Sequence, residues 1–221
     1  AEDRWIVGGA TNNGGNVLDW YRGLLTGIKT SQGHSWQVGY DDLLKAAESS
    51  PAGSSGLVFL AFLAGERAPG WDENARGVLL GLTLSHTAAD VARSILEGTV
   101  FQLHGIFEAL KSFGEQKGRV IASGGFARSD LWLKILASVL GSEIEVPRSI
   151  EGSVAGAAAI AMIGTEEKKG LEWTSRIRKD PMIISPAPED IERYKRVLRV
   201  YRDSYDAMNG IFKELVDIAE R

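Results

Sequence analysis

The chain has 221 residues, 44% hydrophobic and 24% charged, the balance of an ordinary globular protein that needs no staples to bury a core. Its net charge of −4 is too mild for a nucleic-acid surface, and the lack of cysteine excludes disulfides and thiolate metal sites and suits the cytoplasm. No apolar run reaches the roughly 18 residues of a membrane span, and the opening Ala-Glu-Asp-Arg-Trp has no signal-peptide pattern, so no membrane partner is expected.

The chain opens without Met and enters a short strand at Trp5–Val7 almost at once, which suggests a longer parent. A Gly/Asn-rich loop from Gly8 to Gly15 follows, then a helix marked by Val17, Leu18, Tyr21, Leu24, Leu25 and Ile28. Residues 29–38 read as loop, and Tyr40 to Ala47 as a second helix. Ser49 to Gly56 is dense in breakers and must turn. The apolar runs Gly56–Leu63 and Val78–Leu82 read as strands, separated by a charged loop from Gly65 to Gly77.

Thr87 with Asp90 three residues on predicts the start of a long helix. Val91, Ile95, Val100, Leu103, Phe107 and Leu110 predict its apolar face. A strand at Arg119–Ser123, a turn at Gly124-Gly125, a helix at Asp130–Leu140 and a strand at Glu143–Val146 come next. Ser153 to Ile163 is an Ala-rich helix suited to close packing, and 165–187 is mixed. In the last helix, Ile191, Tyr194, Leu198, Tyr201, Tyr205, Met208, Phe212 and Leu215 step by 3 and 4, a heptad seam. Such a seam packs either on its own domain or on a second copy as a homodimer. Strands alternating with helices give an α/β fold.

Two glycine turns stand between a strand and a helix. In Gly124-Gly125-Phe126-Ala127-Arg128-Ser129 the missing side chains let a ligand approach the backbone, and Ser129 suits an N-cap. A plain tight turn is the alternative. Gly9 and Gly14 have Walker A spacing, but Gly15-Asn16 stand where Lys and Ser/Thr are required, so the loop is not a P-loop. It also lacks the dinucleotide fingerprint. Asn12 and Asn13 would tolerate left-handed turns. Glu66, Arg67, Asp72 and Arg76 form either ion bridges or a cleft face. Glu97 is either solvated or a buried acid that needs partners. His34, His86 and His104 have no metal spacing.

Taken together, Gly77-Val-Leu-Leu-Gly81-Leu82, Asp90-Val91 and Ser94-Ile95-Leu96-Glu97 resemble the second signature of the FGGY carbohydrate kinases. Gly65-Glu-Arg-Ala-Pro with Trp71-Asp72 and Ala75-Arg76-Gly77 resembles the loop before it. Gly124 to Ser129 with Trp132 and Leu136 resembles the family's adenosine motif, and Glu151-Gly-Ser-Val-Ala-Gly156 the helix after it. Gly8 to Gly15 with Trp20 is most similar to the gluconate kinases of that family.

The resemblance implies an actin-like ATPase (ribonuclease H-like) domain, a mixed sheet flanked by helices, over residues 1–165. Residues 166–221 then form an extension with a long helix. It implies that ATP binds with Gly124, Gly125, Phe126 and Ser129 at the adenosine and α-phosphate. Gly15 would lie near the outer phosphates, with Asp19 one turn on. The catalytic base and the carboxylate that handles Mg²⁺ are expected in an N-terminal kinase domain that this chain lacks. The expected partners are ATP, that domain and a sugar or sugar acid such as gluconate, and the chain alone is expected to be inactive. A non-catalytic actin-like module serving assembly is the alternative; the signature argues against an acetate-type or hexose kinase, and no fingerprint supports an oxidoreductase.

Overall fold

The computed structural model describes residues 7–27, 37–113, 118–148, 152–165 and 180–219. The expected strand at Trp5–Val7, save Val7, and His34, Ile28 and Glu151 lie outside them. In chain order the described elements are α1 (Gly15–Gly27), α2 (Tyr40–Ser49), β1 (Val58–Leu60), β2 (Val78–Leu80), α3 (Ala88–Lys111), β3 (Val120–Ile121), α4 (Asp130–Leu140), β4 (Ile144–Val146), α5 (Gly152–Gly164), β5 (Met182–Ile184) and α6 (Pro188–Ala219). They divide into two compact units. The first draws on Ala1–Lys117 and Pro188–Arg221, the second on Gly118–Ala187. The long last helix therefore packs with the first half of the chain.

In the first unit α1, α2, β1 and α6 all contact α3. The Asp90 carboxylate accepts from Thr87 N and Thr87 Oγ1, both at 2.8 Å, which fixes where α3 starts. The single apolar face expected of α3 is not what forms. Every residue from Ala92 to Gln102 is buried, Arg93, Glu97 and Gln102 included. Gly98 is needed there, because a Cβ would run into Phe59 O of β1. β1 pairs antiparallel with β2, Phe59 opposite Leu79. The ladder spans three residues a side, shorter than the apolar run, since β2 ends at Leu80, just before Gly81, where φ is +83°.

The α6 seam is used inside this unit. Tyr194, Leu198, Tyr201 and Phe212 are buried. Phe101 meets Tyr201 at 5.4 Å between ring centres and Phe62 meets Tyr205 at 5.0 Å. Packing on its own domain is thus the outcome, and these residues are not available to a homodimer or an assembly module. Leu215 alone of the seam stays exposed.

The second unit is a three-stranded sheet in the order β3-β4-β5 with α4 against it. β3 runs parallel to β4 and β5 antiparallel to it. β5 was not expected, because Met-Ile-Ile is short and lies between prolines. α4 buries Leu131, Trp132, Leu133, Ile135 and Leu136 and stops at Gly141, where φ is +62°. α5 buries only Ala159, so the close packing expected of its small residues is absent among the described residues.

Candidate functional site

The adenosine-like turn lies in the second unit. Gly124 and Gly125 are exposed, and a Cβ added to either would meet nothing within 4 Å. Gly124 has φ +90° and ψ −168°, a conformation only glycine adopts easily. The glycines form a turn ahead of α4, which starts at Asp130 as expected. One 3-10 turn, Gly125–Arg128, intervenes, held by Ala127 N donating to Gly124 O at 3.1 Å. Its first amides, those of Gly125 and Phe126, precede any acceptor within that turn. Ser129 caps α4, its Oγ accepting from Trp132 N at 3.2 Å, and is buried. Phe126 sets its ring edge-on to Trp132 at 6.0 Å.

The second glycine loop lies in the first unit. Gly15 is exposed at the start of α1, and its nearest neighbour to an added Cβ is Tyr40 Oη at 3.7 Å. Asp19 is exposed and paired with Arg22 at 3.1 Å. Asn12 and Asn13 do not adopt the left-handed backbone that their type suggested. Their side chains act instead. Asn13 is 1% exposed; its Oδ1 accepts from Ala64 N at 3.0 Å and its Nδ2 donates to Gly65 O at 2.8 Å. Asn16 Oδ1 accepts from Gly14 N at 2.7 Å. Thr11 Oγ1 donates to Gln102 Oε1 at 2.8 Å.

The charged loop contains no ion bridge among Glu66, Arg67, Asp72 and Arg76. Glu66 is buried and accepts from Tyr205 Oη at 2.6 Å and from Gly70 N at 3.2 Å. That carboxylate, with burial, raises the Tyr205 pKa, burial being the larger cause. Arg67 lies over the exposed Trp71 ring at 5.8 Å. Asp72 Oδ1 accepts from Asn74 N, and Arg76 donates to Glu73 O and Ala75 O.

Glu97 is the buried acid with partners. Arg93 Nε, Gly53 N, Ser54 Oγ and Tyr194 Oη all donate to it within 2.9 Å. Burial raises its pKa, and the Arg93 guanidinium opposes that rise. Its bonds hold Gly53 to Gly56, four successive residues with positive φ, two of them serines. Asp90 sits in the same cluster, its pKa lowered by Ser50 Oγ first and by the Thr87 amide next. His86 is half-buried, with Nδ1 accepting from Thr83 N at 2.9 Å. Burial lowers the pKa of His104.

Sequence reasoning missed Asn13, Gln102 and Tyr205 as site-supporting groups. No local signal marks them, because Asn13 bonds Ala64 and Gly65, Gln102 bonds Thr11 and Tyr205 bonds Glu66, all remote in sequence.

The profile of the FGGY family of carbohydrate kinases, C-terminal domain, matches residues 1–165. The chain belongs to this family. A gluconokinase of Bacillus licheniformis is 32% identical over 98% of the chain, and a xylulose kinase of Bacillus subtilis 27% identical over 92%. The chain spans 42% of that gluconokinase. The crystal structure of gluconate kinase from Lactobacillus acidophilus superposes with a TM-score of 0.74 at 28% identity, covering 94% of this chain and 40% of that one. The fold is the actin-like ATPase fold of these FGGY kinases.

Proposed function

We propose that the chain is the nucleotide-binding half of a carbohydrate kinase that transfers the γ-phosphate of ATP to a hydroxyl of a sugar or sugar acid, gluconate being the substrate. The supporting observation is the exposed Gly124-Gly125 turn, with open space beside both glycines. A backbone without Cβ lets a nucleotide lie against the peptide planes, and the amides of Gly125 and Phe126 face a phosphate or ribose oxygen as donors. Ser129 acts mainly by holding the start of α4 beneath the turn, and Phe126 forms its flank. Gly15 meets the outer phosphates, with Asp19 one helical turn on. Gluconate is preferred over xylulose because the more similar of the relatives above is a gluconokinase.

The sugar contacts, the acid–base group and the N-terminal partner domain belong to the part of the relatives that this chain does not span. Mg²⁺, which supplies charge neutralisation on the phosphates when bound, would be held mainly by those phosphates and the N-terminal half rather than by the described residues. They contain no group of three or more acids or histidines, and Asp19 is already paired with Arg22. The cytoplasm is the proposed location, in keeping with the absence of cysteine.

The experiment is a thermal melt of the 221-residue chain across ATP and ADP concentrations. A ligand at a hundred times its Kd stabilises by about 2.7 kcal/mol, a clear rise in Tm. An unchanged Tm up to millimolar nucleotide sinks the assignment.

A further inference from the structure

We propose that Tyr205, Glu66 and Asn13 are positioning residues through which the C-terminal helix α6 sets the glycine loop at residues 8–15. This rests on the nucleotide reading above, in which that loop meets the outer phosphates of ATP.

The path is continuous in hydrogen bonds within the first unit. Tyr205 Oη donates to Glu66 Oε2 at 2.6 Å and Gly70 N donates to Glu66 Oε1 at 3.2 Å, so both carboxylate oxygens are engaged. Glu66 N donates to Asp72 O at 2.8 Å, which closes residues 66–72 into one body. The near end of that body holds the glycine loop. Asn13 joins both Ala64 N and Gly65 O through its two amide ends, and Ala68 N donates to Ala10 O at 3.1 Å. On the other side Gln102 of α3 accepts from Thr11 Oγ1, and Thr11 Oγ1 accepts from Asn13 N at 3.0 Å.

Packing alone does not call for this arrangement. The Tyr205 ring already meets Phe62 and Phe212, so a phenylalanine would hold α6 in place. A buried carboxylate is a costly hub compared with apolar packing. The loop is nonetheless shaped around it, since a Cβ at Gly70 would collide with the Glu66 carboxylate. What the acid and hydroxyl add is direction. A cavity of about 270 Å³ lined by Phe62, Glu66, Gln102, Tyr201 and Tyr205 lies beside them. Once the Tyr205 bond is lost, Glu66 has room to swing, and the register of residues 64–68 against the glycine loop loosens.

The test is equilibrium titration of ATP and of AMP into the 221-residue chain and its Tyr205→Phe variant, which removes one hydroxyl and keeps the ring. Loss of one charge-assisted hydrogen bond that aligns the loop is expected to weaken ATP roughly five- to tenfold. AMP, which lacks the outer phosphates, is expected to stay within about twofold on the same reasoning. ATP binding unchanged in the variant, or ATP and AMP weakened equally, overturns the inference. Gly125→Val, run in parallel, separates the two levels. If it abolishes ATP binding while Tyr205→Phe does not alter it, only the positioning role falls. If Gly125→Val itself leaves ATP binding intact, the nucleotide reading falls and the positioning role with it.

Discussion

Two adjacent glycines differ in what they tolerate. Gly125 has an ordinary negative φ and open space where a Cβ would go, so the fold accepts a side chain there. Gly124 sits at φ +90° and ψ −168°, where any other residue is strained by about 1–3 kcal/mol. Gly125→Val is therefore expected to leave the urea midpoint nearly unchanged and to lower nucleotide affinity by an order of magnitude or more, about 1.4 kcal/mol per decade. Gly124→Val is expected to lower both. A Gly125→Val chain that is merely unfolded, or that binds ATP as before, places the nucleotide elsewhere. The glycine pair and the Ser129 cap were legible in the sequence because each is settled by its own few neighbours. Asn13 was not. Its side chain was read as a turn former, whereas its role is set by Ala64 and Gly65, brought to it only by folding.

At the scale of elements, helices were easier to read than strands, and the reason is where their information lies. α4 and α6 follow from apolar spacing and caps, which are local. β5 has three residues and draws its stability from pairing with β4, whose Ile144 stands opposite Ile184, 40 residues on and beyond the reach of any local sequence window. α3 was read with one apolar face and Glu97 was left open between a solvated and a buried acid, whereas Arg93, Glu97 and Gln102 are all buried. Their burial is offset by hydrogen bonds from residues such as Ser54 and Tyr194 that are remote in sequence. The start of α3 permits a pH prediction. The folded-state pKa of Asp90 is depressed, so its contribution is complete above its unfolded value near 3.8 and is lost as pH falls through the folded value. Asp90→Asn is expected to cost about 1–3 kcal/mol at pH 7, through loss of the charged cap. The Tm gap between wild type and variant is expected to narrow as pH falls below about 4 toward the depressed folded value, because the unfolded chain then binds a proton that the folded carboxylate resists. A gap that widens in acid rules this account out.

At the scale of the whole molecule the question is what these residues can do unaided. Phosphoryl transfer is a problem of positioning and charge stabilisation around an in-line attack, with a base to take the hydroxyl proton. Among the described residues the buried carboxylates are all hydrogen-bonded within the fold. Glu66 holds Tyr205 and Gly70, Asp90 holds Thr87 and Ser50, and Glu97 holds Arg93 and Tyr194. Loss of general-base help alone costs about 10²–10⁴-fold, and loss of the positioning of two substrates can cost several further orders of magnitude. The chain spans 42% of the gluconokinase it resembles. ADP release from ATP and gluconate by the 221-residue chain, followed in a coupled assay, is therefore expected to stay at the rate without sugar. Nucleotide binding is expected to persist in the same preparation, which shows that the silent assay reflects missing chemistry and not an unfolded sample. Turnover at the rate of an intact gluconokinase would mean that a base is present among these residues after all.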